Sequence, residues 1–161
     1  MERLELKLAE FIKANGIEAE QLVFETSCHS VEDAADSANA APQDFVKNVC
    51  VIDGTKNEED SERLIVAIVP GETRMDFKKL GKVARSNKLR MANAEEVLEK
   101  TGYPAGGTPS FGYSAKFFVD EKVLEKKIVY SGGGSQKSLT RLAPAEIIRV
   151  NTATIADLCK E

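Results

Sequence analysis

The sequence predicts an α+β domain in which helices surround a mixed, mostly antiparallel sheet, and three observations lead to this fold class. Segments with strand patterns and helix patterns interleave in an irregular order rather than as repeated βαβ units. The 161 residues can bury about two-thirds of their unfolded surface, so we expect a single domain spanning residues 1–161. Aromatic residues make up only 6% of the chain and Trp is absent, so aliphatic side chains must build the core.

The first elements follow from hydrophobic spacing. Leu4 and Leu8 begin a helical pattern that predicts an amphipathic helix over residues 2–15. A short strand is expected at 21–25. A capping-box pattern, Ser30-Val31-Glu32-Asp33, then opens an Ala-rich helix at 31–40.

Two apolar strands come next and are expected to pair. Residues 45–52 are rich in β-branched side chains, and the turn Asp53-Gly54 follows them. After a polar, acidic loop at 55–62, residues 63–69 form a second apolar run. Two such runs joined by a loop are typical of antiparallel neighbours.

A basic helix is expected at 76–85, followed by a short strand at 89–91. The apolar residues of this helix are expected to face inward: Phe77, Leu80 and Val83. A further helix at 94–100 begins at the cap Asn93, with Glu96 at the capping-box position, and ends at Gly102.

The last third of the chain starts with a loop at 101–113 that contains four glycines and two prolines. Strands are expected at 116–120, 127–131 and 139–142. A second glycine-rich corner lies at 131–135, Pro144 suits the first turn of a short helix, and a helix at 152–160 closes the chain.

Composition excludes several classes of protein. Three widely spaced cysteines and one histidine, His29, argue against a disulfide framework or a zinc site and for a reducing cytoplasm. No run of 18 apolar residues indicates a membrane segment, and no Walker or dinucleotide motif is present. A net charge of −4 makes the chain a poor non-specific binder of long nucleic acid, so we expect no DNA partner.

Two features suggest a binding site for an anion or an oxyanion. In the glycine loop, Gly106, Gly107 and Thr108 can direct several N–H donors at one point, although an ordinary helix-to-strand connection would have a similar composition. Lys47 shares a strand face with apolar residues. Its ammonium must therefore reach the surface, meet a counter-ion or line a cavity that receives an anionic ligand.

The basic segment offers a second candidate surface. Residues 76–90 carry six basic and one acidic side chain, a local charge of +5 in an otherwise acidic chain. Four of these residues could contact a few RNA phosphates: Lys78, Lys79, Lys82 and Arg85. The alternative is a solvated helix face.

Four segments together resemble the YbaK/ProX family of aminoacyl-tRNA deacylases, which are similar to the editing domain of bacterial prolyl-tRNA synthetases. They are the strand that carries Lys47, the loop Gly102-Tyr-Pro-Ala-Gly-Gly-Thr-Pro-Ser-Phe-Gly112, the corner Tyr130-Ser-Gly-Gly-Gly134 and the run Leu142-Ala-Pro-Ala-Glu-Ile-Ile148. The resemblance covers nearly the whole chain. It implies a barrel-like sheet wrapped by helices, and no metal or organic cofactor.

The resemblance also implies roles for individual residues. Lys47 matches the family's essential lysine, which is expected to hold the 3′-terminal nucleotide, and Gly106 with Gly107 and Thr108 matches the loop that receives the aminoacyl carbonyl. The residues expected to bind substrate are Asn48, Gly102, Pro109, Ser131 and Gly132. Many members have proline where this chain has Ser110, a difference that bears on which amino acid the loop accepts.

The expected function is therefore hydrolysis of mischarged tRNA in trans. We expect the released amino acid to be small, such as alanine or cysteine, and the tRNA to be proline tRNA. Whether a synthetase acts as a partner is left open. An activated ester needs no dedicated protein nucleophile, which agrees with a chain that offers no Ser-His-Asp or Cys-His set. The first alternative is a non-catalytic module that binds aminoacyl or nucleotide ends and docks on a synthetase. The second is a phosphate binder that uses the corner Gly132-Gly133-Gly134.

Overall fold

The computed structural model describes residues 1–25, 31–55 and 62–161. Its helices are α1 (Arg3–Ala14), α2 (Val31–Ala38), α3 (Phe77–Ala84), α4 (Ala94–Thr101) and α5 (Pro144–Asn151). Its strands are β1 (Ala19–Val23), β2 (Val46–Asp53), β3 (Arg63–Pro70), β4 (Leu89–Met91), β5 (Lys116–Asp120), β6 (Val129–Gly132), β7 (Ser138–Leu142) and β8 (Thr154–Ala156). Short 3-10 turns lie at Pro42–Asp44 and Glu121–Glu125. Within these ranges, no helix is long and apolar enough to cross a membrane.

The strands form two sheets that meet at the start of β2. A five-stranded sheet has the order β4-β2-β3-β5-β8, and a three-stranded sheet has the order β1-β7-β6. Four of the six pairings between these strands are antiparallel, and β5 pairs in parallel with both β3 and β8. A single bridge between Phe45 and Tyr130 joins the two sheets. The mixed, mostly antiparallel α+β arrangement is confirmed, but the expected barrel-like sheet is not closed.

The central strands are apolar on both faces because helices or loops cover both faces. One face of β2 and β3 contributes Ile52, Val66 and Ile68 to a cluster that includes Leu8 of α1 and Ile147 of α5. Side chains of opposite parity point into a second cluster beneath α3, made of Val51, Ile65, Ala67, Val69, Met75, Leu80, Phe118, Leu158 and Cys159. Burial on both faces explains why β3 is an almost unbroken aliphatic run.

Predictions that depend on local signals are confirmed. Strands β2 and β3 pair antiparallel, with Val46 opposite Pro70 and Asp53 opposite Arg63. At α4, the Asn93 side chain accepts from the Glu96 N–H and the reciprocal hydrogen bond is present, as a capping box requires. The helix ends at Gly102 with φ +82°, a left-handed conformation that glycine adopts without strain.

The predicted closing helix at 152–160 is wrong. Helix α5 continues to Asn151, and Thr152 leaves it in a left-handed conformation. The chain then forms β8, which pairs in parallel with the exposed edge of β5. Beyond it, the Leu158 N–H donates to the buried Asp120 carboxylate at 2.7 Å. Pairing with the edge of β5 and the hydrogen bond to Asp120 therefore stabilise an extended chain in this segment instead of the predicted helix.

Helix α3 is present, but its predicted apolar face is only partly buried. Leu80 is fully buried, whereas Phe77 and Val83 keep 39% and 37% of their surface exposed. The packing of α3 on the sheet therefore depends mainly on Leu80. Two other expectations, the cap at Ser30 with His29 before it and most of the acidic loop at 55–62, lie outside the described residues.

Candidate functional site

A cavity of about 400 Å³ opens where the two sheets meet. The start of β2, strand β6 and the loop before β5 converge there because the Phe45 to Tyr130 bridge holds the sheet edges together. The cavity is lined by Ala34, Phe45, Val46, Lys47, Asn48, Ala105, Gly106, Thr108, Tyr130, Ser131, Gly132, Gln136, Ser138 and Leu139. These described residues provide one cation, several amide and hydroxyl groups, and no carboxylate.

Lys47 supplies that cation. It lies one residue into β2 on the face that also carries Val49 and Val51, and its side chain is exposed at the cavity. Within the described part of the chain, no carboxylate forms an ion pair with it. The ammonium is therefore both solvated and available to an anionic group of a ligand.

Asn48 points to the opposite side of β2 and holds a buried polar network. Its amide nitrogen donates to the Thr108 carbonyl at 3.0 Å and to the Ser131 hydroxyl at 3.1 Å. The Ser110 hydroxyl donates to the Asn48 amide oxygen at 2.7 Å and lies 2.6 Å from the Ser131 hydroxyl. Asn48 and Ser131 thus line the cavity mainly through groups that already bind each other.

The glycine loop offers fewer free donors than its sequence suggests. The Gly107 N–H donates to the Pro104 carbonyl at 2.9 Å, and the Thr108 hydroxyl donates to the same oxygen at 2.8 Å. The N–H groups of Gly106 and Thr108 have no hydrogen-bond acceptor among the described residues. These two residues line the cavity and Gly107 does not, so their N–H groups are the candidates in this pair of loop residues to bind a ligand.

Close packing between the loop and the 132–135 corner explains two of the glycines. A Cβ on Gly107 would lie 2.6 Å from the backbone carbonyl of Ser135, and one on Gly132 would overlap the Thr108 carbonyl oxygen. The Gly134 N–H donates to the Gly107 carbonyl at 2.8 Å and ties the two segments together. Any side chain at either position would therefore displace the loop that forms the cavity wall.

Two residues expected to bind substrate do not line the cavity. Gly102 ends α4, and the Pro109 carbonyl accepts a hydrogen bond from the Tyr113 hydroxyl at 2.8 Å. Both lie in the segment that shapes the loop, so their contribution to the cavity is indirect.

The apolar part of the wall was not predicted. The rings of Phe45 and Tyr130 stack with centroids 5.0 Å apart, and Ala34 of α2 and Leu139 of β7 pack in the same cluster. Tyr130 begins the glycine-rich motif Tyr130-Ser-Gly-Gly-Gly134. Phe45 and Ala34 gave no signal, because their position depends on how α2 covers the three-stranded sheet.

Among the described residues that line the cavity, no side chain is a convincing nucleophile or general base. The nearest cysteine in sequence, Cys50, is buried, and burial raises the pKa of its thiol to about 11. A thiol with that pKa is protonated at neutral pH and does not act as a thiolate nucleophile. The cavity can therefore bind and polarise a ligand, but a reacting water needs a base from elsewhere.

The basic residues of α3 lie apart from this cavity. Lys78, Lys82 and Arg85 line a larger groove of about 870 Å³ on the far side of α3, near the end of β2 that lies opposite Lys47. Lys79 does not line it, because its ammonium binds Asp157 at 2.9 Å and the Cys159 carbonyl at 2.7 Å.

Comparison with known proteins gives matches over most of the chain. A family model described as "Aminoacyl-tRNA editing domain" matches residues 25–150. The uncharacterized protein YwhH of Bacillus subtilis (strain 168) is 30% identical over 141 residues, which are 86% of this chain and 85% of that protein. The "Putative Cys-tRNA(Pro)/Cys-tRNA(Cys) deacylase EbsC" of Enterococcus faecalis (strain ATCC 700802 / V583) is 26% identical over 96 residues, 58% of each protein.

Among solved structures, the crystal structure of "a putative trans-editing enzyme for prolyl tRNA synthetase" superposes with a TM-score of 0.88. The alignment covers 100% of this chain and 99% of that chain at 24% sequence identity. At this identity the likeness shows a shared fold.

Proposed function

The chain belongs to the aminoacyl-tRNA editing domain family, whose model matches residues 25–150, and from this membership we propose that it is a trans-acting aminoacyl-tRNA deacylase. It hydrolyses the ester of mischarged tRNA and releases a small amino acid such as alanine or cysteine, with proline tRNA as the acceptor. The names of its relatives support this choice, since EbsC is named for Cys-tRNA(Pro).

One observation carries the proposal. Lys47, which forms no ion pair with a described carboxylate, lines the same cavity as Gly106 and Thr108, whose N–H groups have no acceptor among the described residues, and none of the described lining residues is a carboxylate. The 3′ end of an aminoacyl-tRNA needs these features, because it presents a phosphate and an ester carbonyl close together. A carboxylate in the lining would repel both the phosphate and the oxyanion that forms during hydrolysis.

In the proposed reaction, a water oxygen attacks the ester carbonyl carbon. The carbonyl oxygen gains charge and accepts hydrogen bonds from the N–H groups of Gly106 and Thr108, where one such donor is worth about 3–4 kcal/mol in hydrolases. The bond between the carbonyl carbon and the ribose 3′ oxygen then breaks, the 3′ oxygen takes a proton, and the amino acid leaves as a carboxylic acid that ionises. The vicinal 2′-hydroxyl of the substrate assists the water, because the described lining residues supply no base.

Lys47 positions the substrate in this scheme. Its ammonium binds the phosphate of the terminal nucleotide and so fixes the ester relative to the two N–H donors, and positioning of this kind accounts for much of the acceleration in reactions of activated groups. The same cavity of about 400 Å³ must admit both the terminal nucleoside and the aminoacyl group. That shared volume favours a small amino acid.

The body of the tRNA extends beyond the cavity, and we assign its backbone to the groove on α3. Lys78, Lys82 and Arg85 present three cations there, and Phe77 is partly exposed beside them. Lys47 and Val51 share one face of β2, and Val51 packs with Leu80 of α3, so the ammonium and the groove lie on the same side of the sheet. A polyanion can therefore contact both.

The test is release of labelled amino acid from alanyl-, cysteinyl- and seryl-tRNA(Pro), with prolyl-tRNA(Pro) as the correctly charged substrate. We expect selective release from one mischarged form by the wild type and at least a hundredfold loss in Lys47→Ala, on the order of the cost of one lost charge-assisted contact in a positioned reaction. Lys13→Ala, an exposed lysine on α1, is the matched control and should retain full activity. Equal activity in Lys47→Ala would remove Lys47 from the mechanism.

The lack of a base among the described lining residues favours one second candidate, a non-catalytic module that binds charged tRNA beside a synthetase. It predicts a stable complex with mischarged tRNA and no loss of the ester over long incubation. Turnover of any substrate in the panel would exclude this candidate.

A further inference from the structure

We propose that Glu5, a buried carboxylate on α1, is a positioning residue that holds the Gly106 loop at its working position through Ser135. The inference deepens the proposed function and rests on it for its catalytic consequence, since the loop carries the two N–H donors. Its structural part, that Glu5 sets the loop position, can be tested in the protein without substrate.

Glu5 is buried without a cationic partner. Its side chain is 1% exposed, and no described lysine or arginine forms an ion pair with it. The other fully buried carboxylates are compensated in ways that serve the fold: Asp53 binds Arg63, and Asp120 accepts from two backbone N–H groups. A carboxylate buried on α1 costs stability unless its hydrogen bonds repay the loss of hydration.

One of the Glu5 hydrogen bonds reaches across the fold. One oxygen accepts from the Glu2 N–H at 3.0 Å, which belongs to the start of α1. The other accepts from the Ser135 hydroxyl at 2.5 Å, a contact between residues 130 positions apart. The length of this second bond is that of a charge-assisted hydrogen bond to a carboxylate, which is stronger than one between neutral groups.

Ser135 passes this restraint to a tight turn. Its hydroxyl lies 3.0 Å from the Ser138 hydroxyl and accepts from the Lys137 N–H at 3.0 Å. Its own N–H donates to the Ser138 hydroxyl at 3.1 Å. Two groups of the turn, the Ser138 hydroxyl and the Lys137 N–H, thus contact the oxygen that Glu5 holds, and Ser138 also lines the cavity.

The turn at residues 135–138 supports the glycine loop by direct contact. The backbone of Ser135 lies so close to Gly107 that a Cβ there would be 2.6 Å away, and the Gln136 side chain would be 3.0 Å from a Cβ on Gly106. The Gly134 N–H binds the Gly107 carbonyl at 2.8 Å. With no free space between them, a shift of the turn must move the loop.

Helix α1 also clamps the turn from its outer side. Gly134 has φ +102°, and a Cβ there would lie 2.9 Å from the Leu4 carbonyl oxygen. The Gln21 side chain donates to the Glu5 carbonyl at 3.1 Å and fixes the helix against β1. The start of α1 is therefore part of the support of the cavity, although no residue of α1 lines it.

The test compares Glu5→Gln, Ser135→Ala and the double variant with Glu10→Gln, an exposed carboxylate on the same helix, as the control. Displacement of a catalytic group by a fraction of an ångström lowers the rate, so we expect each single variant to lose about tenfold in kcat, with KM changed less than twofold. The double variant should be no slower than the slower single variant, because both act through one contact. The control should match the wild type.

A second measurement separates this inference from the proposed function. In 15N–1H spectra, Glu5→Gln should shift the amide signals of Gly106, Gly107 and Thr108, speed their hydrogen exchange and leave the signals of β3 unchanged. Unchanged loop signals would overturn the inference whatever the activity, and so would additive rate losses in the double variant. If the wild type releases no amino acid from any tRNA, the proposed function fails and the amide signals still decide the role of Glu5.

Discussion

The Asn48 side chain shapes the cavity wall mainly through hydrogen bonds within the fold. An amide can form four hydrogen bonds, and this one forms three, to Thr108, Ser131 and Ser110. These bonds fix the Thr108 carbonyl and leave its N–H without an intramolecular acceptor among the described residues. The side chain therefore acts on the ligand through the backbone that it orients.

The first prediction follows from Ser110, which is fully buried. Ser110→Ala removes the donor to the Asn48 amide oxygen and leaves that buried acceptor unsatisfied, so we expect a loss of about 1–3 kcal/mol in the free energy of unfolding. Urea denaturation would measure it, with the exposed Ser114→Ala as the control. The same variant should change the ratio of alanine to cysteine release, because Ser110 anchors the loop at the cavity. A stable variant with unchanged selectivity would contradict both points.

The second prediction concerns Gly132, where a side chain has no space. In Gly132→Ala the new Cβ overlaps the Thr108 carbonyl oxygen and crowds the Gly107 carbonyl, both of them backbone atoms. Overpacking of this kind costs about 1–3 kcal/mol, and the loop that must move carries the proposed oxyanion donors. We expect a lower melting temperature and near-complete loss of deacylation.

Gly54→Ala is the control for that substitution, since its Cβ would sit at an ordinary 3.4 Å from the nearest atom. It should change the melting temperature little and leave activity intact. Full activity in Gly132→Ala would show that the loop can move without consequence for the reaction.

Helix α3 exposes apolar and basic side chains that its packing on the sheet does not require. Leu80 is fully buried on its inner face and Ala84 packs against the same cluster, while Phe77, Val83 and three cations remain at or near the surface. We predict that Lys78→Ala, Lys82→Ala and Arg85→Ala together weaken tRNA binding and reduce the slope of log affinity against log salt by about 0.7–0.9 per lost phosphate contact. Filter binding at several salt concentrations would measure the slope.

Lys79→Ala is the matched control for the groove on α3. Its ammonium is held by Asp157 and the Cys159 carbonyl, so its loss should leave the salt slope unchanged. A slope that falls equally in Lys79→Ala and in the triple variant would indicate general attraction to a positive surface rather than contacts in the groove.

The elements also show which predictions a sequence can support. The Asn93 cap and the Gly102 end of α4 depend on residues next to each other in the chain, and they are confirmed. Strand β8 depends on the edge of β5, more than thirty residues earlier, which the predicted helix at 152–160 did not take into account. Tertiary pairing overrides local preference where a sheet edge needs a partner.

The candidate site follows the same division. The parity of β2 singled out Lys47, which lines the cavity, and the glycine motifs identified the two segments that form the cavity wall. Glu5 and Ala34 were missed because each reaches the site through helix packing that no local pattern encodes. The sequence identified the segments that form the site. It did not reveal the contacts between those segments.

On the scale of the whole molecule, the cavity exists because two sheets meet without closing. The bridge from Phe45 to Tyr130 is the one point where their strands pair, and the stacked rings of the same residues fill the junction. Helix α2 packs on the outer side of that junction through Ala34 and Ala35. A closed barrel would have continued the strand pairing through the space that the ligand is proposed to occupy.

Stability of the whole fold should depend on pH through Asp53, which lies at the end of β2 and is fully buried. Burial raises the pKa of this carboxyl, but hydrogen bonds from Ser86 at 2.7 Å, Arg63 at 2.6 Å and the Thr55 N–H at 2.9 Å outweigh it and hold the pKa well below its usual range. Since the folded pKa lies below the unfolded value of about 3.9, the ionised group stabilises the fold above that pH. Its contribution is lost as the pH falls towards the folded pKa.

We therefore predict that the stability difference between the wild type and Asp53→Asn is largest at neutral pH and shrinks below about pH 4. Below that pH the unfolded wild type takes up a proton at Asp53, which the variant never binds. Denaturant unfolding at pH 7, 5, 4 and 3 would measure it, with the exposed Asp36→Asn as the control. A difference that stays constant down to pH 3 would mean that Asp53 does not drive acid unfolding. Such a result would assign the loss of stability to exposed pairs such as Arg90 with Glu96, whose carboxyl pKa is lowered to about 2 by the Arg90 guanidinium.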